Sequence, residues 1–145
     1  PERQQALGHF YETFAGDSLV VDKWLGLQAA STLPQTLAGV KKLMEHHAFT
    51  LDNPNRIRAL VGTFVMANQL RFNQADGSGY NFLAEFVLKL DPSNPQVAAR
   101  LLGAFKSWRI LEPGRRALAA AALGHVAETS GISKDVYEIA TKSLQ

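Results

Sequence analysis

The sequence contains no cysteine. Disulfides and thiolate metal sites are therefore excluded, and the absence fits a cytoplasmic protein. No apolar run approaches the ~20 residues that a helix needs to cross a bilayer, so no membrane partner is expected. A signal peptide is missing as well. The chain opens on the polar run Pro1-Glu2-Arg3-Gln4-Gln5 with no methionine at its head, as expected of a segment cut from a longer protein. Charge of one sign is also scarce. Lys and Arg number 15 against 13 Asp and Glu, a formal net charge of +2. Apart from Lys41-Lys42 and Arg115-Arg116, the basic residues are scattered among acids. A nucleic-acid binder would gather them on one face with aromatics, so nucleic acid is not expected as a partner.

Catalytic patterns are missing too. No H-E-x-x-H occurs, and His9, His46, His47 and His125 lack partners at the required spacing. Adjacent residues point about 100° apart on a helix, so His46 and His47 do not form a chelating pair. They read as surface partners of a helix C-terminus. Asp76-Gly77-Ser78-Gly79 is too short for a phosphate loop, lacks its lysine and reads as a turn. No serine sits in a nucleophile elbow. Catalytic and metal-ligating residues are thus expected to be absent, and by itself the chain does not look like an enzyme.

What the chain does have is helical periodicity. Its 145 residues, 46% hydrophobic and 19% charged, suit one domain with a real core. Ala6, Leu7, Phe10, Tyr11 and Phe14 share one face of a first helix, which Gly16 ends. Asp17 or Ser18 caps a second, with Val20, Val21, Trp24, Leu25 and Leu27 apolar. Pro34 opens a third. A fourth is expected over Pro54 to about Ala67, with Ile57, Leu60, Val61 and Phe64 inward and Arg58, Gly62 and Val65 on a different stripe. The fifth starts at the Gly/Ser turn with Ser78 as cap. The sixth runs from Pro95 through Trp108 with Val97, Leu101, Leu102, Phe105 and Trp108 inward. Glu112-Pro113 starts an alanine-rich seventh, and Ser133 caps the last. No stretch alternates at period two, so no strand is expected. About eight antiparallel helices in helix–turn–helix pairs define an all-α, irregular α-solenoid over 1–145, with an ordinary bundle as the alternative.

Two of these helices start alike. Asn53-Pro54 and Asn94-Pro95 place an N-cap side chain ahead of a proline that loses nothing at the first helical position. In an antiparallel run the two starts would fall along one edge carrying Arg56, Arg58, Gln96 and Arg100. Arg58 and Arg100 sit in the first two turns, where the helix dipole does not favour cations. They either pair with nearby carboxylates or face an anionic or carbonyl-bearing ligand.

The segments Ser18-Leu19-Val20-Val21-Asp22-Lys23-Trp24, Pro34 to Phe49, Asn53 to Gly62, Ala75 to Tyr80, Asn94 to Leu101 and Ser133 to Ile139 together resemble the C-terminal domain of the bacterial aminopeptidase N family of zinc-dependent alanyl aminopeptidases. Gln69, Asn73 and His47 depart from that pattern, and Trp108 to Arg116 follows it loosely. The resemblance implies a four-domain parent that removes N-terminal residues from peptides. Its zinc would be held by residues upstream, with no cofactor in this segment. The segment would be the non-catalytic C-terminal domain, closing a chamber over the active site. Its partners would be the upstream catalytic and linker domains and short peptide substrates. By motif match Gln96 and Arg100 would line the substrate pocket and Arg58 would face the chamber. The reading kept beside it is a free-standing helical adaptor that binds a partner protein.

Overall fold

A computed structural model describes all 145 residues, Pro1–Gln145. Every regular element is helical. The chain divides into two compact units, Pro1–Asn68 and Gln69–Gln145.

The first unit holds α1 (Glu2–Phe14), α2 (Ser18–Ala29), α3 (Thr36–Met44) and α4 (Pro54–Ile57), the last running straight into a π-helix over Arg58–Ala67. Asp17 caps α2, its Oδ1 accepting the amides of Leu19 at 3.1 Å and Val20 at 3.2 Å. Helix α3 begins two residues after Pro34. The Thr36 hydroxyl turns the chain there, reaching the carbonyls of Ser31 and Leu33 at 2.8 Å each. The core gathers Val21, Leu25 and Ala29 of α2 against Ile57, Leu60, Val61, Phe64 and Val65.

An α-helix through Ala67 is expected from the periodicity; the structure instead closes five residues back. The Asn68 amide donates to the Thr63 carbonyl at 3.1 Å, and the buried Asn68 side chain donates to the carbonyls of Ala29 and Ser31, both at 2.8 Å. These two bonds fix where the helix must end. With the longer repeat, Gly62 and Val65 turn inward beside Ile57, Leu60, Val61 and Phe64 and do not form a separate outer stripe.

The second unit holds α5 (Gln69–Phe72), α6 (Ser78–Leu90), α7 (Pro95–Leu101), 3₁₀ turns at Leu102–Phe105 and Trp108–Ile110, α8 (Pro113–Glu128) and α9 (Lys134–Leu144). Ser78 is not the cap of α6. That position falls to Gly77, held at φ 76°, a left-handed conformation natural to glycine. Ser78 instead bonds back to Asp76 Oδ1 through its amide at 2.9 Å and its hydroxyl at 2.7 Å. Those bonds, the hydroxyl's first, hold the Asp76 carboxyl below its ordinary range. Phe72, Tyr80 and Phe105 form a buried ring cluster with centroids 5.2–6.1 Å apart. Ala119 and Ala122 let α8 lie close to its neighbours. Ser133 caps α9 at the Val136 amide, and the buried Asp91 accepts the Ser133 amide at 2.7 Å.

The expected sixth helix is also revised. It is α-helical only to Leu101 and then tightens to 3₁₀ geometry. Residues three apart stack in that geometry, so Leu102 and Phe105 join Ala98 and Leu101 in the core. Val97 and Trp108, expected inward, are half-buried. Trp108 Nε1 donates to the Ser143 carbonyl at 2.9 Å, and Arg109 donates to the Leu144 carbonyl at 2.7 Å. Two open carbonyls at the end of α9 thereby find partners.

Candidate functional site

The start of α7 is built as its sequence requires. Asn94 Oδ1 accepts the Val97 amide at 3.2 Å, and Pro95 occupies the first turn. Ala98 and Leu101 then face the core. Gln96 and Arg100, one turn apart, are left exposed on the outer face. Neither side chain takes part in a hydrogen bond or ion pair that holds the unit together. Half-buried Gly103 follows one turn on and carries no side chain to cover them.

In the first unit Asn53 Oδ1 accepts the amides of Asn55 at 3.0 Å and Arg56 at 3.4 Å. The two arginines that follow part company. Arg56 folds inward: its Nε lies 3.3 Å from Asp22 Oδ1 and its Nη2 donates to Ser18 Oγ at 3.3 Å, with the side chain 12% exposed. It is a structural pair between α2 and α4 and leaves the expected basic edge. Arg58 stays exposed at the head of the π-helix. Its Nη1 donates to Asn55 Oδ1 at 3.1 Å, and its aliphatic stem lies over Gly62. Arg58 therefore belongs to the first unit, and Gln96 and Arg100 to the second.

No three His, Cys, Asp or Glu side chains converge in a way that could hold a metal ion. His46 and His47 stack on one another at 4.3 Å, and His47 Nε2 is taken by the Tyr11 hydroxyl at 2.9 Å. No helix is long and apolar enough to cross a membrane.

Two further features lie away from the exposed polar side chains. One is the ring cluster of Tyr11, Trp24, His46 and His47, whose members are up to 36 residues apart. The other is an apolar groove of about 830 Å³ between α1 and α2, floored by Leu7 and Trp24 and walled by Ala6, Phe10, Leu27 and Ala30. Leu27 is 65% exposed there. The apolar face of α1 signals the groove: Leu7 is its one buried residue, and Phe10 and Phe14 remain uncovered.

Helices packed around two apolar cores, with polar side chains displayed at helix starts, make this an all-helical scaffold. The chain belongs to the family described as "Domain of unknown function (DUF3458_C) ARM repeats", whose pattern matches residues 1–145. It is similar to aminopeptidase N of Caulobacter vibrioides, 40% identical over 142 residues, covering 98% of this chain and 16% of that protein. Aminopeptidase N of Haemophilus influenzae is 38% identical over 99% of this chain and 16% of its own length. Aminopeptidase N of Escherichia coli is likewise 38% identical over 99% of this chain and 17% of its own length. Among solved structures, aminopeptidase A of Legionella pneumophila in complex with aspartic acid superposes with a TM-score of 0.93 at 34% identity. It covers 99% of this chain and 17% of that one. The chain thus spans about one sixth of the length of the relatives it matches.

Proposed function

We propose that this chain is the non-catalytic C-terminal helical domain, residues 1–145, of a cytoplasmic zinc-dependent aminopeptidase, and that it helps close the chamber in which short peptides are trimmed. In this reading the zinc supplies Lewis-acid chemistry from residues outside the chain, and the chain alone hydrolyses nothing. Its own part is to hold substrate. Gln96 offers an amide to peptide carbonyls. Arg100 offers a planar fork of donors that can grip a carbonyl or a C-terminal carboxylate. Arg58 faces the chamber. The α1–α2 groove is where the remainder of the longer chain rests.

The observation that carries the reading is the exposed pair Gln96 and Arg100, free of structural bonds, on a chain 38–40% identical to three aminopeptidases over nearly its whole length. Exposed side chains without such bonds are not needed for folding. Arg100→Ala in the full-length enzyme is therefore expected to change stability by less than about 0.5 kcal/mol. Losing a charge-assisted hydrogen bond to substrate costs about 1.5–3 kcal/mol, so kcat/KM for tripeptides and longer should fall roughly tenfold or more. A small amide reporter that does not reach Arg100 should be affected less. Unchanged peptide kinetics would remove Arg100 from the substrate site, and an unfolded variant would make it structural.

A further inference from the structure

A cluster of rings at the end of α3 stands apart from the exposed polar side chains and meets the core only through the buried Trp24. Tyr11 of α1 sits edge-on to His46 at 4.7 Å and to His47 at 5.6 Å, and tilts against Trp24 of α2 at 4.7 Å. The two imidazoles stack at 4.3 Å. The Tyr11 hydroxyl is hydrogen-bonded to His47 Nε2 at 2.9 Å, and the Ala48 amide donates to His46 Nδ1 at 3.0 Å. Little else secures α1. It has no side-chain cap, and Leu7 is its single buried residue. Its one further side-chain tie is the bond from Trp24 Nε1 to the Leu7 carbonyl, 2.8 Å long.

We propose that Tyr11, His46 and His47 form an acid-sensitive clasp that holds α1 against α2 and α3 near neutral pH and releases it in mild acid. The ring geometry sets the direction. His46 can accept the Ala48 amide only while Nδ1 is unprotonated, with its proton on Nε2. A second proton replaces that acceptor with a donor facing a donor. It also puts a cation in stacking contact with the His47 ring, on which Tyr11 depends.

The surroundings agree. Partial burial first, and the neighbouring His47 second, hold the His46 imidazole below its ordinary value of 6.5. The titratable groups around it are Tyr11 and Glu12 from α1, Lys42 from α3, Glu45 at the C-cap of α3, and His47 from the turn; α2 contributes Trp24 and Gln28, which do not titrate. Burial and His47 are the influences that set the direction. A depressed value means that the released state binds the proton first. The clasp is therefore fully formed above about pH 6.5 and weakens as pH falls through that value towards the folded one.

The test is hydrogen–deuterium exchange of the 145-residue chain between about pH 7.5 and about pH 5, the range in which histidine charges, with intrinsic exchange rates divided out. Amides of α1 are expected to open severalfold more often in acid, while those of α6 stay protected. His46→Asn, whose Oδ1 can take the Ala48 amide without titrating, should abolish the rise. His9→Asn, on α1 but outside the cluster, should leave it intact. Tyr11→Phe removes the His47 bond and should open α1 at neutral pH. Equal protection of α1 at both pH values, a rise that survives His46→Asn, or no effect of Tyr11→Phe would each overturn the clasp.

Discussion

Gly79 is the position where one methyl group should do the most damage. A Cβ there would lie 2.1 Å from the Phe72 carbonyl oxygen, 2.8 Å from its carbonyl carbon and 2.9 Å from its Cα. Favourable non-bonded separations are about 3.5–4.0 Å, so the overlap is roughly 1.4 Å or more. The obstructing atoms are backbone and have no rotamer in which to escape. Helices α5 and α6 would have to part by a comparable distance. That movement opens the cluster in which Phe72, Tyr80 and Phe105 are each 1% exposed, and it pulls the Tyr80 hydroxyl from Asn73 Oδ1, now 2.7 Å away. Overpacking a core costs typically ~1–3 kcal/mol, and a buried polar group left unpaired adds about 1–3 kcal/mol. Gly79→Ala is thus expected to destabilise by about 3 kcal/mol or more. Gly39→Ala in α3 is the control. Nothing lies within 4 Å of its added methyl, and replacing a helix-interior glycine gains roughly 0.5–1 kcal/mol. Urea titrations followed by far-ultraviolet circular dichroism would measure both. A Gly79→Ala unfolding free energy within about 0.5 kcal/mol of the parent chain's would refute the close approach of α6 to Phe72.

Two further outcomes follow from the surface. With its α1–α2 groove uncovered, the 145-residue chain should self-associate with a dissociation constant in the micromolar range or weaker, as for other small apolar contacts; Leu27→Glu should abolish this in sedimentation equilibrium, and monomers at all concentrations before mutation would count against it. Glu112 caps α8, accepting the amides of Gly114 and Arg115 at 2.7 Å each, and those bonds, Arg115's first, hold its carboxyl below its ordinary 4.5. The stability from that cap is present above the ordinary value and is lost as pH falls through the lower folded one. The advantage over Glu112→Gln, which cannot titrate, should therefore shrink in acid; urea titrations showing a constant gap across that range would contradict it.

Much of the fold can be read locally because the signals are local. Asp17, Asn53, Asn94 and Ser133 each cap a helix through an amide two or three residues away. Ile57, Leu60, Val61 and Phe64 repeat at intervals that bury under either helical geometry. The misses all involve partners distant in sequence or geometries that share a pattern. The π-helix depends on Asn68 finding carbonyls up to 39 residues away, and no window of periodicity contains them. Ser78 is the expected cap of α6, but the left-handed turn gives that position to Gly77. Arg56 and Arg58 look alike in sequence, yet only Arg56 meets a carboxylate, Asp22. Gln96 and Arg100 were legible as one stripe because their spacing needs only the first two turns of α7, before the helix tightens.

Because the helix at Arg58–Ala67 closes five residues back, it accommodates more chain between its ends than an α-helix of the same span would. Losing one residue at an exposed point such as Ala67 would let the ladder relax towards four-residue closure while Asn53 and Asn68 kept their anchoring bonds. The same loss in α6 would turn every later side chain by about 100°, carrying Phe86, Val87 and Leu90 off the buried face. Insertions and deletions are thus unequally tolerated along this chain, and between the two asparagines its length is slack.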